Sequence, residues 1–234
     1  MYIVLKAENM GNLCKLLMDD VRFHEAIKTC MNCGTCTAIC PASEFYDYDP
    51  RKICDIVQRQ NEEEIDNLLR ADGIWYCGQC MSCKTRCPRG NVPGLLITVL
   101  RKVSQELGYF TESKKGIQQF AIVKVIGSNI KEIGYCIHPD RVEYEKHIEQ
   151  GPIWKWYKEN IEEVAPKLGA NYHGEGAGAL RSIRQETLDE VNKIFEVTGG
   201  DDFFNQIKTY AKNKTGIKDE DELFKNVYFA DPKE

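Results

Sequence analysis

Residues 30–41 read CMNCGTCTAICP, and residues 77–88 read CGQCMSCKTRCP. Both follow C-x2-C-x2-C-x3-C-P, and every cysteine of the first run has a counterpart 47 residues later. A repeat this specific marks Cys30, Cys33, Cys36, Cys40, Cys77, Cys80, Cys83 and Cys87 as ligand-grade, eight of the chain's 11 cysteines. Three chemistries compete for them. Disulfides require an oxidising compartment, whereas the opening residues MYIVLKAENM hold an early acid and too short an apolar stretch for a secretory signal. A structural zinc ion draws two C-x2-C pairs from separate knuckles into one tetrahedron, yet each run here supplies four cysteines within eleven residues. Four cysteines at this spacing, closed by a proline, are the bacterial ferredoxin pattern for [4Fe–4S] clusters, in which the fourth cysteine ligates the other run's cluster.

The expected ligand sets are therefore crossed: Cys30, Cys33, Cys36 and Cys87 for one cluster, and Cys77, Cys80, Cys83 and Cys40 for the other. Two-residue gaps wrap the chain around three corners of a cube with peptide N–H groups turned toward sulfur. The fourth corner lies beyond the same tight loop, and Pro41 or Pro88 ends the helical turn that follows. Gly34 and Gly78 are expected to let the backbone approach inorganic sulfide closely. Lys28, Lys84, Arg86 and Arg89 read as solvated cations, and Cys14, Cys54 and Cys136 as inert buried thiols.

Charge and hydropathy narrow the classes further. The 31 basic residues are outnumbered by 36 acidic ones, so no polyanion-binding surplus exists. The longest apolar run, near residues 92–100, falls short of the roughly 18 residues a membrane span needs. Nucleic-acid binding and membrane insertion are thus disfavoured, and a reducing, cytoplasmic setting is expected. Helices are expected over Asn12–Phe23, with Leu13, Leu16, Leu17 and Val21 as its stripe, over Pro50–Arg70, and over Val92–Leu107. Such a long helical linker separates this chain from small strand-linked ferredoxins. It indicates a mainly α protein, with an α-helical ferredoxin domain over residues 1–110 and a largely helical extension over 111–234.

In the extension, Tyr109–Asp140 reads as short elements interrupted by Gly127, Gly134 and Pro139. A helix is expected from Pro152 to Leu168, a capping box at Thr187 and Glu190 opening the next, and Asp202 capping a third. The stretch HGEGAGA, residues 173–179, lacks the GK[ST] of a phosphate loop and reads as a flexible or docking segment. His24, His138, His147 and His173 are scattered, and packing or surface roles are expected for each. The apolar residues from Leu223 to Phe229 need a surface to lie on.

Residues 20–107 resemble the C subunit of heterodisulfide reductase, through CxNCGTCTxxCP and WYCGQCMSCKTRCPRG running into an LLxxLR-type helix. The resemblance implies a non-catalytic electron relay with two [4Fe–4S] clusters, placed between the flavin-containing A subunit and the catalytic B subunit, which bears CCG motifs. This chain has no Cys-Cys pair and no flavin motif, so it looks like neither partner. Its extension, with GSNIKEIGYCIHPD, GPIWKWYKEN and GEGAGALR, looks similar to the C1 subunit of the heterodisulfide reductase-like complexes of sulfur oxidisers. That implies docking within a complex acting on sulfur carried by lipoate-binding proteins. The methanogen type, acting on a CoM–CoB heterodisulfide, is the alternative branch, and a structural or regulatory Fe–S sensor the alternative class.

Overall fold

The computed structural model describes residues 12–143 and 151–229, so the expectation for His147 lies outside the described residues. Among the described residues every regular element is helical, and the protein is mainly α. The described residues divide into two compact units, one up to residue 118 and the other from residue 119.

The first unit is built on a frame of four helices. Helix α1 (Leu13–Met18) buries Leu13 and Leu17. It ends at Met18 rather than continuing through Val21, which is 92 % exposed in the turn that follows. A short turn of helix, α2 (Phe23–Ala26), then leads into the first cysteine run, whose one-turn helices are α3 (Thr35–Ala38) and α4 (Ala42–Phe45). Helix α5 (Pro50–Arg59) starts where Pro50 supplies a preset φ and Asp49 accepts hydrogen bonds from the Arg51 and Lys52 amides. Helix α6 (Glu62–Arg70) is capped by Asn61 and carries three glutamates in its first turn, where the macrodipole favours them.

Helix α7 (Ser82–Arg86) is the single turn of the second cysteine run. The central strut is α8 (Pro93–Glu106), which buries Leu96, Ile97, Val99, Leu100 and Val103 and packs on α1, α2, α5 and α6. Two polar ties fix its register. Ser104 Oγ donates to the Leu69 carbonyl at 2.7 Å, and Val92 N donates to the Ala26 carbonyl at 2.8 Å. Residues 109–118 belong to this unit: Tyr109 and Phe110 are buried, and Ser113 hydrogen-bonds Asp72.

In the second unit, α9 (Gln119–Ile122) runs through a π turn, Val123–Gly127, into α10 (Ser128–Ile133). Gly127 does not interrupt this rod as expected. It lies where any Cβ would stand 2.7 Å from the Phe204 ring, so the glycine serves packing. The helix expected from Pro152 is two, α11 (Ile153–Glu159) and α12 (Ile161–Lys167), divided at Asn160. Helix α13 (Gln185–Thr198) starts two residues before Thr187, so the expected capping box lies inside it. Gly199 ends α13 in the left-handed conformation and leads directly into α14 (Gly200–Thr215), with Asp202 in its first turn rather than at its cap. Asp219 caps α15 (Glu220–Tyr228), whose Leu223, Phe224 and Val227 are buried; α15 packs on α9, so the apolar tail has its surface within the unit.

Candidate metal centre

The two cysteine runs repeat in backbone conformation as well as in sequence. Asn32 and Gln79 are both left-handed (φ 59° and 53°), as are Gly34 and Met81 (φ 80° and 60°). Each pair is separated by the 47 residues of the repeat. Left-handed residues alternating along a loop turn peptide N–H groups into a concavity suited to anionic sulfur. Accordingly Asn32 N donates to Cys30 Sγ at 3.4 Å, and Gln79 N to Cys77 Sγ at 3.3 Å. Hydroxyls repeat too: Cys33 Sγ lies 3.4 Å from Thr35 Oγ1, and Cys80 Sγ lies 3.5 Å from Ser82 Oγ. These hydroxyl contacts hold both thiols below the ordinary cysteine range. Gly34 takes a conformation glycine favours, but Gly78 does not. Its φ is not positive and a Cβ there would meet open space, so the second loop turns on Gln79 and Met81 instead. Holding a residue such as Met81 left-handed costs of order 1 kcal/mol, which the surrounding loop must sustain.

Two cavities result. Cys30, Cys33, Cys36 and Cys87 line the first, together with Cys54, Arg51 and Arg89. Cys40, Cys77, Cys80 and Cys83 line the second, with Tyr48, Pro50, Met81 and Gly94. Cys36 borders both. Each cavity thus takes three cysteines from one run and at least one from the other, Cys87 in the first and Cys40 with Cys36 in the second. Burial pushes the Cys36 thiol up to about 11 and raises that of Cys83. A soft cation that binds only the thiolate would reverse that cost. Four thiols around an enclosed space, with amide donors aimed at sulfur, are a donor set suited to an iron–sulfur cluster.

The loops are held from outside. The Gln58 amide accepts from Cys30 N at 2.6 Å and donates to the Cys30 carbonyl at 3.3 Å. Buried Asn91 accepts from Lys28 N at 2.8 Å and donates to the Thr29 carbonyl. From α8, the Arg101 guanidinium donates to the carbonyls of Ile74 and Cys77, each at 2.7 Å, and lies over the Trp75 ring. Gly94 N donates to Cys83 Sγ at 3.4 Å, and a Cβ at Gly94 would lie 2.9 Å from Met81 Sδ. Arg51 bridges Asp49 and Asn32 on the rim of the first cavity.

The residues around the runs depart from expectation in places. Of the three cysteines outside the runs, Cys54 is buried, Cys14 is half-buried with its thiol 3.4 Å from the Gln60 carbonyl, and Cys136 is exposed. Arg89 is exposed, as expected of a solvated cation, and also borders the first cavity, and Lys84 makes an exposed pair with Glu25. Tyr48, 5 % exposed on the second cavity, carries no helical signal in the sequence, because the aromatic and acidic residues of YDYD alternate with a period of two. Tyr46 and Tyr76 stack nearby with centroids 4.4 Å apart.

The family described as "4Fe-4S dicluster domain" matches residues 19–91, the segment that holds both runs. The chain is 32 % identical over 196 residues to the C subunit of the ferredoxin:CoB-CoM heterodisulfide reductase of Methanosarcina acetivorans, covering 81 % of this chain and 68 % of that protein. It is 27 % identical over 150 residues to the iron–sulfur C subunit of the CoB–CoM heterodisulfide reductase of Methanopyrus kandleri, covering 62 % and 72 % respectively. To the second iron–sulfur C subunit of the Methanocaldococcus jannaschii enzyme the identity is 37 % over 84 residues, 36 % of this chain and 43 % of that one. With its paired cysteine runs on a helical frame, this chain belongs to the family of heterodisulfide reductase C subunits.

Proposed function

We propose that the chain is an electron-carrying subunit of a cytoplasmic heterodisulfide reductase-type complex and breaks no substrate bond itself. The observation that carries this reading is the pair of cysteine-lined cavities, each drawing on both runs, that meet at Cys36. In this reading Cys30, Cys33, Cys36 and Cys87 hold one [4Fe–4S] cluster and Cys77, Cys80, Cys83 and Cys40 hold the other. When bound, such a cluster supplies a reversible one-electron couple. The chain's own groups do the rest. Amides of Asn32, Gln79 and Gly94 stabilise negative charge on sulfur, and Tyr48 and Met81 keep water from the second cavity.

The partners proposed are the flavin-containing A subunit and the CCG-motif B subunit. The second unit serves docking within that complex, supported by exposed apolar side chains at Ile153, Trp156, Ile194 and Val197. Among the described residues no helix is long and apolar enough to cross a membrane. The match to the M. acetivorans protein spans more residues than the first unit contains and so runs into the second. This favours a CoB–CoM-type heterodisulfide as the complex's substrate over lipoate-bound sulfur.

Anaerobically purified protein should hold about eight iron atoms per chain and give EPR spectra of two interacting clusters on reduction. It should co-purify with its flavin-containing and CCG-motif partners. Iron near four, or stoichiometric zinc on the cysteines, would overturn the proposal. Co-purification with a lipoate-binding protein would instead select the sulfur-oxidising branch.

A further inference from the structure

The second unit brings together three residues that the chain keeps far apart. His138 precedes the 3-10 turn Pro139–Arg141, Asp140 lies within that turn, and His173 comes from the loop after α12. One ligand atom from each lies within 4.8 Å of the others, and this is a two-histidine, one-carboxylate set. Asp140 Oδ2 is 2.7 Å from His173 Nε2 and 3.6 Å from His138 Nδ1. Bonds of about 2.0–2.1 Å to a tetrahedral cation put neighbouring donor atoms roughly 3.3 Å apart. The two observed separations bracket that value.

Asp140 Oδ2 serves both histidines: it shares a hydrogen bond with His173 Nε2 and lies at ion-pair distance from His138 Nδ1. His138 is 7 % exposed, and its Nδ1 acts as an acceptor toward the Asp140 amide at 3.4 Å. That atom also faces a carboxylate oxygen, the imidazole being buried while Asp140 and His173 are exposed. A cation between the two atoms would take both as ligands. The other carboxylate oxygen is already taken: Tyr172 Oη donates to Asp140 Oδ1 at 2.6 Å, leaving Oδ2 toward the histidines. This is the outer-shell hydrogen bond that typically orients a metal-binding carboxylate.

The glycine-rich stretch HGEGAGA serves as the cradle for His173. Asn171 Nδ2 donates to the Glu175 and Ala177 carbonyls, His173 N to the Leu180 carbonyl, and Ser182 N to the Gly174 carbonyl. A Cβ on Gly174 would stand 1.9 Å from Asn171 Oδ1, and one on Gly178 would stand 2.6 Å from Asn171 Cβ. Both glycines are therefore demanded by the Asn171 knot, and the segment is a tied loop rather than the flexible one expected. It holds His173 in a left-handed conformation (φ 56°), an uncommon one for a residue with a side chain. The three residues open on a cavity also walled by Arg141, Arg181 and Ser182.

We propose that His138, Asp140 and His173 bind one divalent transition cation of the zinc class, with the remaining coordination position open to this cavity for water or a small anion. Three protein ligands and an open position are the arrangement of a reactive rather than a purely structural zinc site. The test uses the full-chain, cluster-loaded protein, kept anaerobic, stripped of loosely held metal and titrated with Zn2+ alone. The expected result is one equivalent bound, with a Zn X-ray absorption spectrum showing nitrogen and oxygen neighbours at about 2.0–2.1 Å. His173→Ala, whose side chain is exposed, and the nearly isosteric Asp140→Asn should each lose that equivalent while iron content and helical circular dichroism stay at wild-type values. Tyr172→Phe should weaken binding about 10–100-fold. Failure of the wild type to bind Zn2+, unchanged stoichiometry in His173→Ala, or a sulfur shell near about 2.3 Å would each overturn the proposal.

Discussion

Arg101 offers the sharpest test of how the helical frame supports the second cysteine loop. Its guanidinium donates 2.7 Å hydrogen bonds to the carbonyls of Ile74 and Cys77, tying α8 to both the 3-10 turn Asp72–Trp75 and the second cysteine loop. Burial lowers its pKa from the ordinary arginine value, so part of the gain is spent in desolvating the charge. Hydrogen bonds from a charged donor contribute about 1.5–3 kcal/mol each. Arg101→Met removes two of them but recovers the desolvation cost and keeps apolar bulk, for a net loss of about 3 kcal/mol. With melting shifts of about 2–8 °C per kcal/mol, depending on domain size, the variant should melt roughly 10 °C lower. The assay is far-UV circular dichroism of the anaerobic holoprotein at one scan rate, with iron release to a chelator followed in parallel, because cluster loss makes unfolding irreversible. Arg101→Lys should fall between, since a single ammonium does not reproduce the planar fork. An Arg101→Met protein melting within about 2 °C of wild type and releasing iron no faster would refute this account of Arg101.

Three further outcomes are expected. Cys87→Ser should damage the cluster of the first run, halving iron to about four atoms per chain and removing the EPR interaction; selective loss of the second run's cluster would contradict the crossed sets. Asp20, nearly buried, takes hydrogen bonds from Arg22 and has Lys102 nearby, and the Arg22 bonds, against the cost of burial, hold its carboxyl well below the usual range. Because the folded value is depressed, its stabilisation is complete above the unfolded value of about 3.9 and is lost as pH falls below it. Asp20→Asn should therefore be less stable by about 2 kcal/mol at neutral pH, a difference that shrinks in urea melts below pH 4. Gly127→Ala should destabilise the second unit by about 1–3 kcal/mol through its clash with Phe204, although alanine is the better helix former. Stabilisation would show that the π turn relaxes freely.

What the sequence disclosed was local or repeated. Two copies of a cysteine pattern announced the family, and apolar stripes gave α5 and α8: proline, cap and periodicity agree at the start of α5, and proline and periodicity at that of α8. Where signals were single, the chain chose otherwise. Val21 fits the stripe of α1, but the helix stops at Met18, before reaching it. Thr187 and Glu190 have capping-box spacing, but a start at Gln185 satisfies the helix earlier. Gly78 looked like a close-approach glycine, yet loop geometry assigned the left-handed positions to Gln79 and Met81. The His138–Asp140–His173 cluster was not legible, because a folded loop rather than any sequence spacing delivers its third member.

The sharing of cysteines between the runs has a consequence for how the protein is made. Each cavity is walled by residues from both ends of the first unit, with Cys87 completing one and Cys40 the other. A nascent chain that has exposed only its first run presents three cysteines of one pocket and, on the next, only Cys40 and the shared Cys36. Neither pocket closes until the second run has left the ribosome and α8 has packed behind it. With the crossed ligand sets proposed above, iron delivery would wait for a nearly finished domain, and a prematurely terminated chain would complete neither pocket.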